Sequence, residues 1–126
     1  DEYIIEPREM PFLIGRCKEP VLPSGAKIKN DIAFIGIEEI DEEEYKINSN
    51  VSRAHAVIMF DEIAGAFVLY RSKQLKNPAQ KLRVVNSKKY NDEGVSIHQS
   101  TVPHILKDGD YIYFNEIAVL SFNTLI

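Results

Sequence analysis

Nine short segments rich in Val, Ile, Phe and Tyr punctuate this chain, and none runs on long enough to make a stable helix. They are Tyr3–Glu6, Phe12–Arg16, Ile32–Ile35, His55–Phe60, Ala66–Arg71, Leu82–Val85, Val95–His98, Tyr111–Phe114 and Ala118–Phe122. Gly, Pro, Asn and Asp, the residues that make turns, bound them. Outside the acidic segment Ile37–Tyr45, no stretch sustains helical periodicity over three turns. Many short strands with polar connections predict an all-β fold, an antiparallel β-sandwich. Asp61–Gly65 reads as the hairpin loop between two strongly apolar strands. Asn115–Ile117 reads the same way and would pair Tyr111–Phe114 with Ala118–Phe122.

A chain of 126 residues is predicted to form one domain, residues 1–126. It is large enough to bury about two-thirds of its unfolded surface. The net charge of −4 argues against nucleic acid as the main partner. Cys17 is the one cysteine, so no internal disulfide can form, and a reducing, cytoplasmic setting is expected. No apolar run approaches the about 18–20 residues of a membrane span, and no signal-peptide pattern opens the chain. It begins at Asp1 and not Met, as a module excised from a longer protein would.

Two local patterns carry chemistry. Gly15-Arg16 ends the apolar run Phe12-Leu13-Ile14, and Asn50-Val51-Ser52-Arg53-Ala54-His55 leads into the next strongly apolar run. A phosphomonoester carries close to two negative charges and strong acceptor oxygens. Its site needs planar guanidinium donors and a small hydroxyl that can turn to donate. Arg16, Arg53 and Ser52 are those residue types. Gly15 is expected to let the backbone turn tightly beside Arg16. His55 has no Cys, Asp or Glu at nucleophile spacing, so no triad is expected and the chain does not read as an enzyme. His98 and His104 lie far from it in sequence, and no close His/Cys pairing suggests a metal or other cofactor.

Together with Leu106-Lys107-Asp108-Gly109-Asp110-Tyr111-Ile112-Tyr113-Phe114, which follows a Leu-x-x-Gly-Asp-x-Ile-x-Phe pattern, these elements closely resemble the forkhead-associated (FHA) domain. The resemblance covers about residues 10 to 122. It implies a β-sandwich that binds phosphothreonine peptides in signalling or regulated assembly. Arg16, Ser52 and Arg53 would hold the phosphate, and Gly15 and His55 would be structural. Asn50 and Ser49 lie close enough in sequence to assist in binding the peptide. His55 would bond neighbouring backbone and fix the loop that presents the serine.

FHA domains also carry an Asn-Gly-Thr whose Asn pins the ligand main chain, and this sequence lacks it. Asn77 is the nearest occupant, with Asn86 and Asn91 as more distant substitutes. The alternative is a phosphate-independent interaction scaffold with a degenerate site. Charge is uneven: residues 38–44 hold six acids and no base, residues 71–89 seven bases and no acid. The basic stretch reads either as a solvated surface or as positive potential that attracts a phosphorylated ligand. The acidic segment would favour a basic peptide flank. Nucleic-acid binding through the basic stretch would require interleaved stacking aromatics, and only Tyr70 and Tyr90 flank it.

Overall fold

The computed structural model describes residues 2–20, 22, 24–25, 28–35, 51–75 and 77–124. Ser49, Asn50 and the acidic segment at 38–44 lie outside the described residues. In chain order the strands are β1 (Phe12–Cys17), β2 (Ile32–Ile35), β3 (Ala56–Asp61), β4 (Ala66–Arg71), β5 (Leu82–Asn86), β6 (Val95–Ser96), β7 (His104–Ile105), β8 (Asp110–Phe114) and β9 (Ala118–Phe122). They form a five-stranded sheet, β2-β1-β3-β4-β7, and a four-stranded sheet, β6-β5-β8-β9. The all-β sandwich expected from the sequence is the observed architecture.

The β3–β4 hairpin shows why this sequence folds as it does. Six residue pairs run from Ala56↔Arg71 to Asp61↔Ala66. At the tip, Asp61 Oδ1 accepts from the N–H groups of Ile63 (2.9 Å) and Ala64 (3.1 Å). Gly65 takes φ +63, which a side chain would resist. In β8 the pattern Asp110, Ile112, Phe114 buried and Tyr111, Tyr113 outward follows the two-residue period of a strand.

Inward side chains of the two sheets build one core. Phe12, Ile14, Ile58 and Leu69 face Leu82, Val84, Ile112 and Phe114. Phe114 is fully buried; its ring lies 5.1 Å from those of both Phe34 and His55. Among the described residues, no helix is long and apolar enough to cross a membrane.

The structure corrects four sequence expectations. One strand pair is parallel: β1 runs alongside β2 with Ile14 opposite Ile32. Residues 18–31 supply the dozen or so residues such a crossover needs. Tyr3–Glu6 is not a strand: among the described residues no strand pairs with it, and the backbone N–H and C=O of Glu6 are both bonded to Glu9. A short 3₁₀ turn, Pro7–Glu9, follows it, and Tyr3 packs edge-on against Phe12 at 6.5 Å. Pairing in Val95–His98 stops after Ser96. His104–Ile105 forms an unforeseen two-residue strand against Val68 and Leu69.

Candidate functional site

One end of the sandwich gathers the end of β1, the loop before β3, the segment before β5 and the turn between β8 and β9. β1 outruns its partner there. Ile14 is the last β1 residue paired with β3, opposite Ala56, so Arg16 lies alongside residues 51–55. Its backbone N–H donates to Ser52 O at 2.9 Å, and its Nε donates to Val51 O at 2.8 Å. Val51 is fully buried in the core, so the carbonyl that holds the guanidinium is itself anchored.

His55 fixes the same loop from below. It is fully buried; Nδ1 accepts from Ser52 N–H at 3.1 Å, and Nε2 donates to Lys81 O at 2.8 Å. That second bond ties the first sheet to the segment entering β5. With Nδ1 accepting, the ring is the neutral Nε2–H tautomer. Burial pushes its pKa down to about 4, partly opposed by the Lys81 carbonyl and reinforced by the Arg71 charge. Because Nδ1 takes the Ser52 backbone and not Oγ, the two residues do not form a nucleophile–base pair.

Ser52 Oγ donates to Gln80 Oε1 at 3.0 Å, and Asn115 Nδ2 donates to the same oxygen. Asn115 Oδ1 accepts from Lys81 N–H, while Asn115 N–H donates to Lys81 O at 2.9 Å. Asn115 (φ 54) and Glu116 (φ 62) take left-handed backbone, which Asn tolerates better than most residues. Glu116 is drawn back by Arg83: Nε to Oε1 is 2.8 Å and Nη2 to Oε2 is 2.7 Å. That pairing holds the Glu116 carboxyl below its usual range and the Arg83 guanidinium above its own. Arg83 also lies 4.8 Å over the Tyr113 ring. An open, polar cleft of about 430 Å³ results, lined by Arg16, Ala79, Gln80, Lys81, Asn115, Glu116 and Ile117.

The structure distributes the sequence candidates unevenly. Arg16 lines the cleft, and Ser52 reaches it through Gln80. Arg53 is exposed and is not among the residues that line the cleft; its carbonyl accepts from Asn30 Nδ2 at 2.8 Å. Asn77 is also exposed and does not line the cleft. Its Oδ1 closes a local turn by accepting from Ala79 N–H at 2.9 Å. Asn86 is engaged elsewhere: Nδ2 donates to Asp110 Oδ1 at 2.8 Å, and Oδ1 accepts from Lys88 N–H at 2.9 Å. Asn91 lies in a separate turn with φ 52.

Gly15 sits inside β1 and not at a turn, which corrects the reason for it. A Cβ there would collide with the Arg53 carbonyl and the Asn30 amide. Glycine is needed for close packing, not for backbone freedom.

The basic stretch is not a continuous exposed patch either. Arg71 is only 5% exposed, with its guanidinium on the carbonyls of Leu75, Ile97 and Asn77. Arg83 is held by Glu116, and Lys88 pairs with Asp108. Gln80 and Asn115, which join Ser52 to the cleft, were not marked by sequence; only the turn assignment at 115–117 pointed near one of them. Compared with known proteins, the chain matches no family model, no curated protein and no solved structure.

Proposed function

We propose that this chain is a non-enzymatic, FHA-like module that binds a phosphothreonine peptide in the Arg16 cleft. The observation that supports it most is the anchoring of Arg16. Its Nε is spent on Val51 O, which leaves the two Nη nitrogens to point donors at a ligand from a fixed base. Lys81 adds a second positive side chain, and Arg83 offsets Glu116, the one carboxylate among the described lining residues. Phosphate capture by such donors is a known mode of peptide recognition. A few charge-assisted hydrogen bonds of about 1.5–3 kcal/mol each, less the cost of ordering the peptide, give roughly micromolar affinity, about −8 kcal/mol. A degenerate phosphothreonine peptide library tests the proposal and reports flanking preference. A screen with no phosphate-dependent binder rejects it.

One observation favours a second reading. Ser52 Oγ is already committed to Gln80, so donating to a phosphate requires the hydroxyl to leave that partner. If the Ser52–Gln80–Asn115 chain is there to hold the loops together, the module is a phosphate-independent scaffold. Partner binding would then be equal with and without phosphate.

A further inference from the structure

Among the described residues the two sheets end in four edge strands, β2, β7, β6 and β9. Three of them are guarded. β6 (Val95–Ser96) and β7 (His104–Ile105) are two residues long, too short to template another strand. β2 is flanked in sequence by charge, Asp31 before it and the acids of 38–44 after it. β9 has none of these protections. It pairs with β8 without a bulge over five residues, from Asp110↔Phe122 to Phe114↔Ala118. Residues 117–124 contain no charge and no proline, the devices that blunt an edge. Among the described residues no strand pairs with the other side of β9. Side chains on both faces stop short of closure there. On the inner face Ala118 is buried, but Leu120 and Phe122, which pack on the core, are only half-buried. On the outer face Val119 is 47% exposed, and Tyr111, across from Ser121 on β8, is 40% exposed. An edge of this kind is completed by adding a strand.

We propose that the occupant is a second copy of this chain: two β9 strands pair antiparallel about a two-fold axis and join two four-stranded sheets into one. The unpaired N–H and C=O groups of an edge need a strand that has an open, uncharged edge of its own, and a second copy brings one. A register centred on Leu120 pairs all five residues of β9. On the inner face it sets Ala118 against the second copy's Phe122, small against large, and Leu120 against Leu120. On the outer face it sets Val119 against Ser121. No charge faces a like charge at any of these positions. The half-exposed Leu120 and Phe122 of each copy are then covered by the other. Because the same patch serves both copies, the assembly closes at a dimer. An edge of five residues is about 17 Å long. It covers less than the about 800 Å² per partner of a standard interface, so the dimer is weak and concentration-dependent. The pairing does not rest on what the Arg16 cleft binds. Ile117 lines that cleft and precedes β9, so the antiparallel arrangement sends the two clefts to opposite ends of the joined sheet.

The test is sedimentation velocity of the 126-residue chain from about 10 μM to about 1 mM, where a contact of this size half-forms. Monomer should pass to dimer and to nothing larger. Hydrogen exchange of the wild type locates the contact: amide protection in Ala118–Phe122 should rise with concentration, and that of His104–Ile105 should not. Two double variants test the register at exposed positions, with circular dichroism to confirm the fold. Val119→Lys/Ser121→Lys sets lysine against lysine across the axis and should weaken the dimer more than tenfold. Val119→Lys/Ser121→Glu sets opposite charges there and should restore it in a form that salt weakens. Val95→Lys, at a 52% exposed residue of β6, should leave the dimer as it is. Growth beyond a dimer, concentration-independent exchange in β9, or equal weakening by the two double variants overturns the pairing. Monomer at every concentration would give the edge to a strand of another protein and overturn self-pairing. Should a double variant fail to fold, the wild-type exchange experiment still decides.

Discussion

His55 Nδ1 accepts the backbone N–H of Ser52 at 3.1 Å, and the opposite ring nitrogen donates to Lys81 O at 2.8 Å. One buried ring thus sets the spacing between the serine loop and the strand entry that flanks the cleft. The Lys81 carbonyl also accepts from Asn115 N–H, so the β8–β9 turn is referenced to the same point. Three separate parts of the chain share one hydrogen-bonded node.

The first consequence is a pH dependence of stability. The folded-state pKa of His55 is about 4, against 6.5 for the ordinary imidazole. As pH falls through 6.5 the unfolded chain takes up a proton that the folded chain refuses until about 4. Stability is therefore fully present above that window and is lost across it, by up to about 3 kcal/mol. Urea unfolding at pH 7 and pH 4.5 measures the loss. His55→Gln, which can still donate to Lys81 and accept from Ser52, should lower stability at pH 7 and flatten the slope. An equally steep slope in the variant would assign the acid sensitivity to other groups.

Gly15→Ala is expected to cost about 2–3 kcal/mol, the upper part of the range for overpacking. The added methyl meets the Arg53 carbonyl, a backbone atom that can move only with the whole 51–55 loop. Asn30, which is 1% exposed and donates to both Cys17 O and Arg53 O, clamps that loop from the other side. Denaturant unfolding reads the cost, and a stability within 0.5 kcal/mol of wild type (about the level of an ordinary surface change) would contradict the close packing.

How much of this could be seen in the sequence depends on how local the cause is. The β3–β4 turn was legible because Asp61 and Gly65 make it with their own atoms. Arg16 and the Ser52–His55 pair were legible for the same reason, as short patterns at strand ends. β7 was not, because two residues beside Pro103 are too short a run to signal a strand and are strand only through their pairing with β4. Tyr3–Glu6 has strand-forming residues and no partner strand among the described residues. Gln80 meets Ser52 across 28 positions and Asn115 across 35, contacts that exist only once the sheets have packed. Arg71 looked like one more charge in a basic run. Burial on three backbone carbonyls, which composition does not report, takes it out of that run.

Substitutions at Gln80 separate its two possible roles. Under the reader proposal Gln80 competes with the phosphate for the Ser52 hydroxyl. Gln80→Ala should then leave phosphothreonine-peptide affinity within about threefold of wild type, since the lost neutral hydrogen bond is worth about 0.5–1.5 kcal/mol and Ser52 is released to the ligand. Gln80→Glu puts a carboxylate beside the phosphate, and like charges across an interface cost several kcal/mol. Its affinity should fall more than tenfold with the fold retained, measured by titration alongside circular dichroism. Equal loss in both variants would make Gln80 a loop strut and favour the scaffold reading.

Arg16 carries the sharpest expectation. Arg16→Ala removes the charge and the bond to Val51 O together. Truncating one partner of a hydrogen-bonded charge pair costs about 2–5 kcal/mol, which takes a micromolar phosphopeptide to somewhere between about 30 micromolar and about 5 millimolar. Arg16→Lys keeps the charge but loses the planar fork, so it should recover only part of the affinity. Binding of the wild type should also weaken as pH falls through about 6, where the phosphate passes from dianion to monoanion. This change overlaps the upper part of the His55 window, so the titration is paired with circular dichroism to confirm that the chain stays folded at each pH. A non-hydrolysable phosphonate analogue with a shifted second pKa should move the midpoint by the same shift, which loss of folded protein would not do. If Arg16→Ala binds the peptide as the wild type does, the cleft is not a phosphate site, and the end of the sandwich that holds it is a scaffold surface.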